Sequence, residues 1–138
     1  MTASQLDATV LSRPEDLVIG LLAVLADRGV ETLKTTDKVL HASFGAALGV
    51  FHAAGGTFEE LAESFYSDVV TNTYDELNNA IIAAQGLNFL RFPNPSYSRL
   101  QLTIPPSAVS RILYKKFSAA QRKVFEEAAT ALQQSMRG

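Results

Sequence analysis

Residues 74–104 read YDELNNAIIAAQGLNFLRFPNPSYSRLQLTI, and the change of period inside this stretch decides the fold. The segment 74–85 carries Leu77, Ala80 and Ile81 at helical spacing, and predicts a helix that Gly86 terminates. Beyond it, 87–92 and 97–104 are rich in branched and aromatic residues. They flank Pro93, Asn94, Pro95 and Ser96, four strong turn formers in a row. In the second run Leu100, Leu102 and Ile104 fall on one face, and Tyr97, Arg99, Gln101 and Thr103 on the other. That is the two-residue alternation of a half-buried strand, so 87–104 predicts a β-hairpin. Pro105 and Pro106 end it.

Outside this stretch the chain reads as helix. Four positions pair Ser or Thr with Glu or Gln three residues on: Ser12/Glu15, Thr57/Glu60, Thr73/Glu76 and Ser118/Gln121. This is the spacing at which a hydroxyl and a longer side chain satisfy free N–H groups reciprocally. Helices are predicted over 14–33, with Gly29 as an early breaking point, over 37–54 up to Gly55 and Gly56, and over 58–65, 107–116 and 119–136. The last carries an apolar stripe of Ala120, Val124, Ala128, Leu132 and Met136. With 138 residues, 47% hydrophobic and 19% charged, the chain has enough material for one core. The expected organisation is a flexible tail over 1–12 and a single globular domain over 13–138. The fold class is α+β, mostly α: a helical domain with one two-stranded β-hairpin.

The first two helices have almost no polar face. Leu17, Val18, Ile19, Leu21, Leu22, Val24 and Leu25 cover one; Val39, Leu40, Phe44, Leu48, Val50 and Phe51 cover the other, with the small residues Ala42, Gly45, Ala46 and Gly49 between them. A helix apolar all round is either central in a core or covered by a partner. In a chain this short the partner is the expectation, with a homodimer interface at Leu21, Leu25, Phe44, Gly45, Leu48, Gly49 and Phe51.

Charge is partitioned. The block 91–123 holds seven bases and no acid, while 57–90 holds six acids and no base, on a molecule of net charge -2. Arg91, Arg99, Arg111, Lys115, Lys116, Arg122 and Lys123, with Tyr97, form the expected partner or nucleic-acid face. Three readings stand open for these bases. They track phosphates, or they pair with Glu59, Glu60, Glu63, Asp68, Asp75 and Glu76 within or between chains, or they are a solvated face. Phe89, Phe92 and Tyr97 near the hairpin tip either fold back on the core or dock a partner.

Other chemistries lack their residues. The chain has no cysteine, which excludes disulfides, thiolate catalysis and cysteine-ligated zinc. His41 and His52, eleven residues apart on one helix, are about 16 Å apart, too far to share a metal; Asp37 and His41 offer two ligands without a third. No nucleophile elbow, phosphate loop or His-Glu-x-x-His is present. No catalytic residue, metal or cofactor is therefore expected. The apolar run 17–26 is too short to span a membrane, and 1–11 lacks the basic start and apolar run of a secretory signal, so a cytoplasmic protein is expected.

The order helix, Gly stop, hairpin, helix, with Tyr74, Leu77, Ala80, Ile81, Gly86, Leu87, Tyr97, Leu102 and Thr103 at their spacing, resembles a winged helix over about 58–113. The competing arrangement is an unrelated α+β fold whose hairpin caps a helical bundle. The resemblance implies a recognition helix over 74–85 and a wing over 91–99. This helix departs from the DNA-binding members: it opens on Asp75 and Glu76, with only Asn78, Asn79 and Gln85 as neutral readers, whereas groove-reading helices bring Arg or Lys. Winged helices also serve as protein-interaction modules. The expected function is thus a non-catalytic interaction or regulatory module with a basic face for an acidic partner; the alternative is a winged-helix DNA-binding transcriptional regulator.

Overall fold

A computed structural model describes residues 11–35, 38–66, 74–93 and 99–137 of the chain. Its first helix, α1 (Glu15–Asp27), stops short of 33 because Gly29 takes a left-handed φ of 82°. The Gly29 N–H donates to the Ala26 carbonyl and the Val30 N–H to the Leu25 carbonyl, both at 3.0 Å, the paired bonds that close a helix end. The chain so released forms β1 (Thr32–Lys34), a strand where the sequence predicts helix. Next come α2 (Val39–Ala54) and, after Gly55 at φ 72°, α3 (Gly56–Ala62). Thr57 therefore sits inside a helix and caps nothing.

The helix of the opening stretch is α4 (Asp75–Gly86). Gly86 is its last residue rather than its terminator. Asn88 takes the left-handed position at φ 63°, and the Phe89 N–H reaches back to the Ala84 carbonyl at 3.0 Å. The hairpin follows as β2 (Leu90–Arg91) and β3 (Arg99–Leu102), with its turn outside the described residues. After α5 (Pro106–Ser110) the backbone widens into π-helical turns over Arg111–Lys116. The last helix, α6 (Ala119–Arg137), opens on the predicted reciprocal cap. The Ser118 N–H donates to Gln121 Oε1 at 2.8 Å and the Gln121 N–H to Ser118 Oγ at 3.1 Å.

The sheet has three strands instead of two. All are antiparallel in the order β1-β3-β2, with Thr32 opposite Gln101, Leu33 opposite Leu100, Lys34 opposite Arg99, Leu90 opposite Leu102 and Arg91 opposite Gln101. Cross-strand partners share a face. Leu33, Leu90, Leu100 and Leu102 thus point to the core, and Thr32, Lys34, Arg91, Arg99 and Gln101 point away from it. The molecule is a mostly helical α+β domain, as the sequence implies.

Helix α1 is covered by the chain itself, whereas α2 is covered along one face and leaves Ala42, Gly49, Ala53 and Ala54 exposed. Helix α1 packs on α4 and α6, with α5 and the π turns beside it, while α2 lies chiefly along α6. Of the residues assigned to a dimer contact, Leu21, Leu25, Phe44, Leu48 and Phe51 lie inside this one core; only Gly45 and Gly49 are not buried. For α1 the argument for an outside cover falls, because that helix is apolar all round for the other reason, that it is central; in α2 the large apolar residues Leu40, Phe44, Leu48 and Phe51 are in the core and the small Ala42, Gly49, Ala53 and Ala54 face outward. Gly45 is spoken for in a different way, since a Cβ there would sit 2.9 Å from the Tyr74 hydroxyl oxygen.

Two further expectations are corrected. Leu11, assigned to the tail, is buried in the core; residues 1–10 lie outside the described set. The buried residues of α6 are Gln121, Phe125, Ala128, Ala129 and Leu132, a stripe rotated from the predicted one, with Ala120 exposed. Phe125 sets that rotation. Its ring is fully buried between Phe51, Phe58 and Phe117 at centroid distances of 5.5, 5.4 and 4.6 Å, and it lies against the bare backbone of Gly20.

Candidate interaction surface

The outer face of the sheet collects cations. Lys34 and Arg99 stand directly opposite each other on β1 and β3, and Arg91 stands on β2 opposite Gln101. Neighbouring strands lie about 4.8 Å apart, so all three charges crowd one small surface, and the register places no carboxylate among them. Gln101 orients one of them by accepting a 2.7 Å hydrogen bond from Arg91 Nε. Like charges directly opposite each other on a sheet destabilise it. Lys34 becomes part of the surface only because β1 exists.

The basic block as a whole does not make one face. Arg91 and Arg99 belong to the sheet. Arg111 and Lys116 line a groove with Arg13 at the start of α1, whereas Lys123 shares a shallow depression with Arg28, Glu126 and Glu127 just beyond the far end of that helix. Thirteen residues of α1 separate the two places by about 20 Å. Lys115 is exposed on the π turns. Arg122 is engaged locally. It donates from Nη1 to the Leu113 carbonyl at 3.0 Å, lies 4.8 Å above the Tyr114 ring and sits 3.9 Å from Glu126. Tyr97 lies outside the described residues.

Among the described residues, none of these bases pairs within the chain with the acids that precede them. Among the described residues the ion pairs are Arg13 with Glu15 and Asp16, and Arg122 with Glu126, none of which joins the acidic stretch 57–90 to the basic one. Asp68 lies outside the described residues. Phe89 and Phe92 are partly buried against the core.

The histidines separate in role. His52 is exposed in the last turn of α2. His41 is structural: its Nδ1 accepts the Tyr74 N–H at 2.9 Å, so the imidazole caps the start of α4, and its ring runs parallel to that of Tyr74. Burial pushes its pKa below the usual value, and the nearby Lys38 adds to this, against the opposing influence of a hydrogen bond with Asn78 and of the Asp75 carboxylate. Asp37 lies outside the described residues. Among the described residues no group of three or more His, Asp or Glu could hold a metal ion, and no helix is long and apolar enough to cross a membrane.

No protein-family model, curated protein or solved structure matches this chain.

Proposed function

We propose that this protein is a non-catalytic interaction module of winged-helix type that presents the outer face of its sheet to an acidic protein partner. One observation carries the reading: Lys34 and Arg99 face each other across β1 and β3, with Arg91 on the next strand and no acid in register. That arrangement costs folding stability, so its use lies outside the fold. Positive surfaces of this kind steer oppositely charged partners and set their orientation.

Support for the winged-helix part comes from the order of elements, helix, strand, three helices, strand, strand, and from the sheet order β1-β3-β2. On this reading α4 corresponds to the recognition helix of such domains and 91–99 to the wing. The same topology favours a second reading, in which Arg91, Arg99 and Lys34 grip a nucleic-acid backbone. Helix α4 argues for the protein partner instead. Its first turn carries Asp75 and Glu76, and Ile82 on its surface is 66% exposed; carboxylates repel phosphate, while an exposed isoleucine suits an interface core.

The experiment is a pair of anisotropy titrations at low salt, one with a fluorescent acidic peptide and one with a fluorescent duplex of arbitrary sequence. Saturable binding of the peptide, weakened by Lys34, Arg91 and Arg99→Glu together, supports the protein-partner reading. Preferential binding of the duplex with a steep salt dependence transfers the assignment to the second reading. If neither probe binds, the basic sheet face is only a solvated surface.

A further inference from the structure

A groove of 220 Å³ opens where the start of α1 meets the π turns and the residues just after α4. Its floor is apolar, formed by Ile19, Leu87, Phe89, Ile112 and Phe117, and its rim carries Arg13, Arg111 and Lys116 with Asp16 as its one acid. Asp16 is already committed. Its Oδ2 accepts the backbone N–H groups of Ser12 and Arg13, each at 3.0 Å, and its Oδ1 lies 3.9 Å from the Arg13 guanidinium. Arg13 in turn is shared with Glu15 at 3.6 Å. Arg111 and Lys116 have no ion-pair partner among the described residues, so the positive charge left over at this groove is theirs.

The backbone explains how both reach the same rim. In an α-helix with 3.6 residues per turn, positions five apart point about 140° away from each other. Here the stretch Arg111–Lys116 is wound as a π-helix, and the Phe117 N–H donates to the Ile112 carbonyl five residues back at 3.2 Å. The wider turn brings residue 116 round towards residue 111. Such turns are rare and occur frequently at functional sites.

We propose that this groove binds a small amphipathic monocarboxylate, with its hydrocarbon on the Ile19, Leu87, Phe89 and Phe117 floor and its carboxylate held by Arg111 and Lys116. Size restricts the class. Sites for drug-sized ligands run from about 300 to 1,000 Å³, so a 220 Å³ groove takes a short tail and one small head group. Charge restricts it further, because two uncompensated cations beside apolar walls select a ligand with an anionic end and a hydrophobic one. A free inorganic anion leaves the floor unused, and a neutral alcohol leaves the cations without a partner.

The inference is independent of the sheet surface, and its test is built to show that. The full-length protein is titrated with sodium octanoate while backbone amide shifts are followed by NMR. Saturable changes are expected at Ile19, Leu87, Phe89, Ile112 and Phe117, with octanol and inorganic phosphate each binding at least tenfold more weakly. Arg111→Glu and Lys116→Glu, both at exposed positions, are each expected to weaken octanoate about tenfold or more, the size of a lost charge-assisted bond. Replacing Lys34, Arg91 and Arg99 by Glu is expected to leave octanoate affinity unchanged. Shifts that do not saturate, octanol or phosphate binding as well as octanoate, or full affinity in both the Arg111 and Lys116 variants would each overturn the proposal.

Discussion

Replacing Gly20 by Ala is the sharpest single test of the core as described. A Cβ at Gly20 would lie 2.5 Å from Cζ and 2.7 Å from Cδ1 of Phe125, against about 3.5–4.0 Å for carbon atoms at rest. The Phe125 ring would have to retreat by about 1 Å, but the rings of Phe51, Phe58 and Phe117 close the space around it. Overpacking of this kind costs about 1–3 kcal/mol, and the closed aromatic box puts the cost at the upper end. Helix propensity works the other way, favouring Ala over Gly by about 1 kcal/mol. The net expectation is a loss of about 2 kcal/mol, or a fall of about 6–10 °C in Tm for a chain of this size. Urea and thermal unfolding followed by circular dichroism would measure it. A variant as stable as the parent, or more so, would show that α1 and α6 do not approach at this point. A double-mutant cycle sharpens the result: with Phe125→Leu present, the added methyl has room, so the two substitutions should cost clearly less together than their sum.

Other outcomes follow from the same structure. Arg99→Glu turns the like-charge pair with Lys34 into an attractive one, so it should raise stability by about 0.2–1 kcal/mol while weakening binding of the acidic peptide; loss of both would mean that Arg99 serves the fold. Ser43 is buried in α2 and, among the described residues, its hydroxyl has no hydrogen-bond partner. Ser43→Ala should therefore stabilise by about 1 kcal/mol in urea unfolding, and a loss of stability would point to a partner for Oγ. His41 has a pKa lower in the folded chain than its ordinary value of 6.5, so the unfolded chain binds more protons as pH falls past 6.5. Its contribution to stability is complete above that value and is lost on acidification towards the folded pKa. The urea midpoint should drop between pH 7.5 and 5.5, with a smaller drop in His41→Gln; equal slopes would contradict the capping role.

What the sequence revealed was set by local rules, and what it concealed was set by distant contacts. The reciprocal cap at Ser118 and Gln121 and the stop at Gly55 depend on neighbours along the chain, and both are found. Strand β1 depends on β3, whose residues lie some 67 positions away in register, as Thr32 and Lys34 pair with Gln101 and Arg99. Its three residues carry a single apolar side chain, too little for any period to register. Lys34 and the like-charge pair that marks the surface depend on β1 in the same way. Asn88 and not the nearby Gly86 takes the left-handed position that ends α4, a conformation that Asn also tolerates.

The covered helices teach a different lesson. Apolar residues on every side of α1 and α2 were visible in the sequence, but the period of a helix does not say whether its cover comes from the same chain. Here Phe125, Leu132 and the small residues Ala128 and Ala129 of α6, all of them buried, supply it along one side of α2, while Ala42 and Gly49 stay exposed. The basic block, continuous in sequence, is divided in space because α1 and the π turns hold its parts about 20 Å apart. No sequence signal distinguishes Arg111–Lys116 as a π-helix, so the groove it shapes is not legible from the residues alone.

The most direct test of the proposed function is to purify the native protein with whatever accompanies it, in parallel with a variant carrying Lys34, Arg91 and Arg99→Glu. The account predicts that the parent retains an acidic protein, free of nucleic acid, and that the variant folds equally well and loses it. Retention of the same partner by both forms would contradict the account.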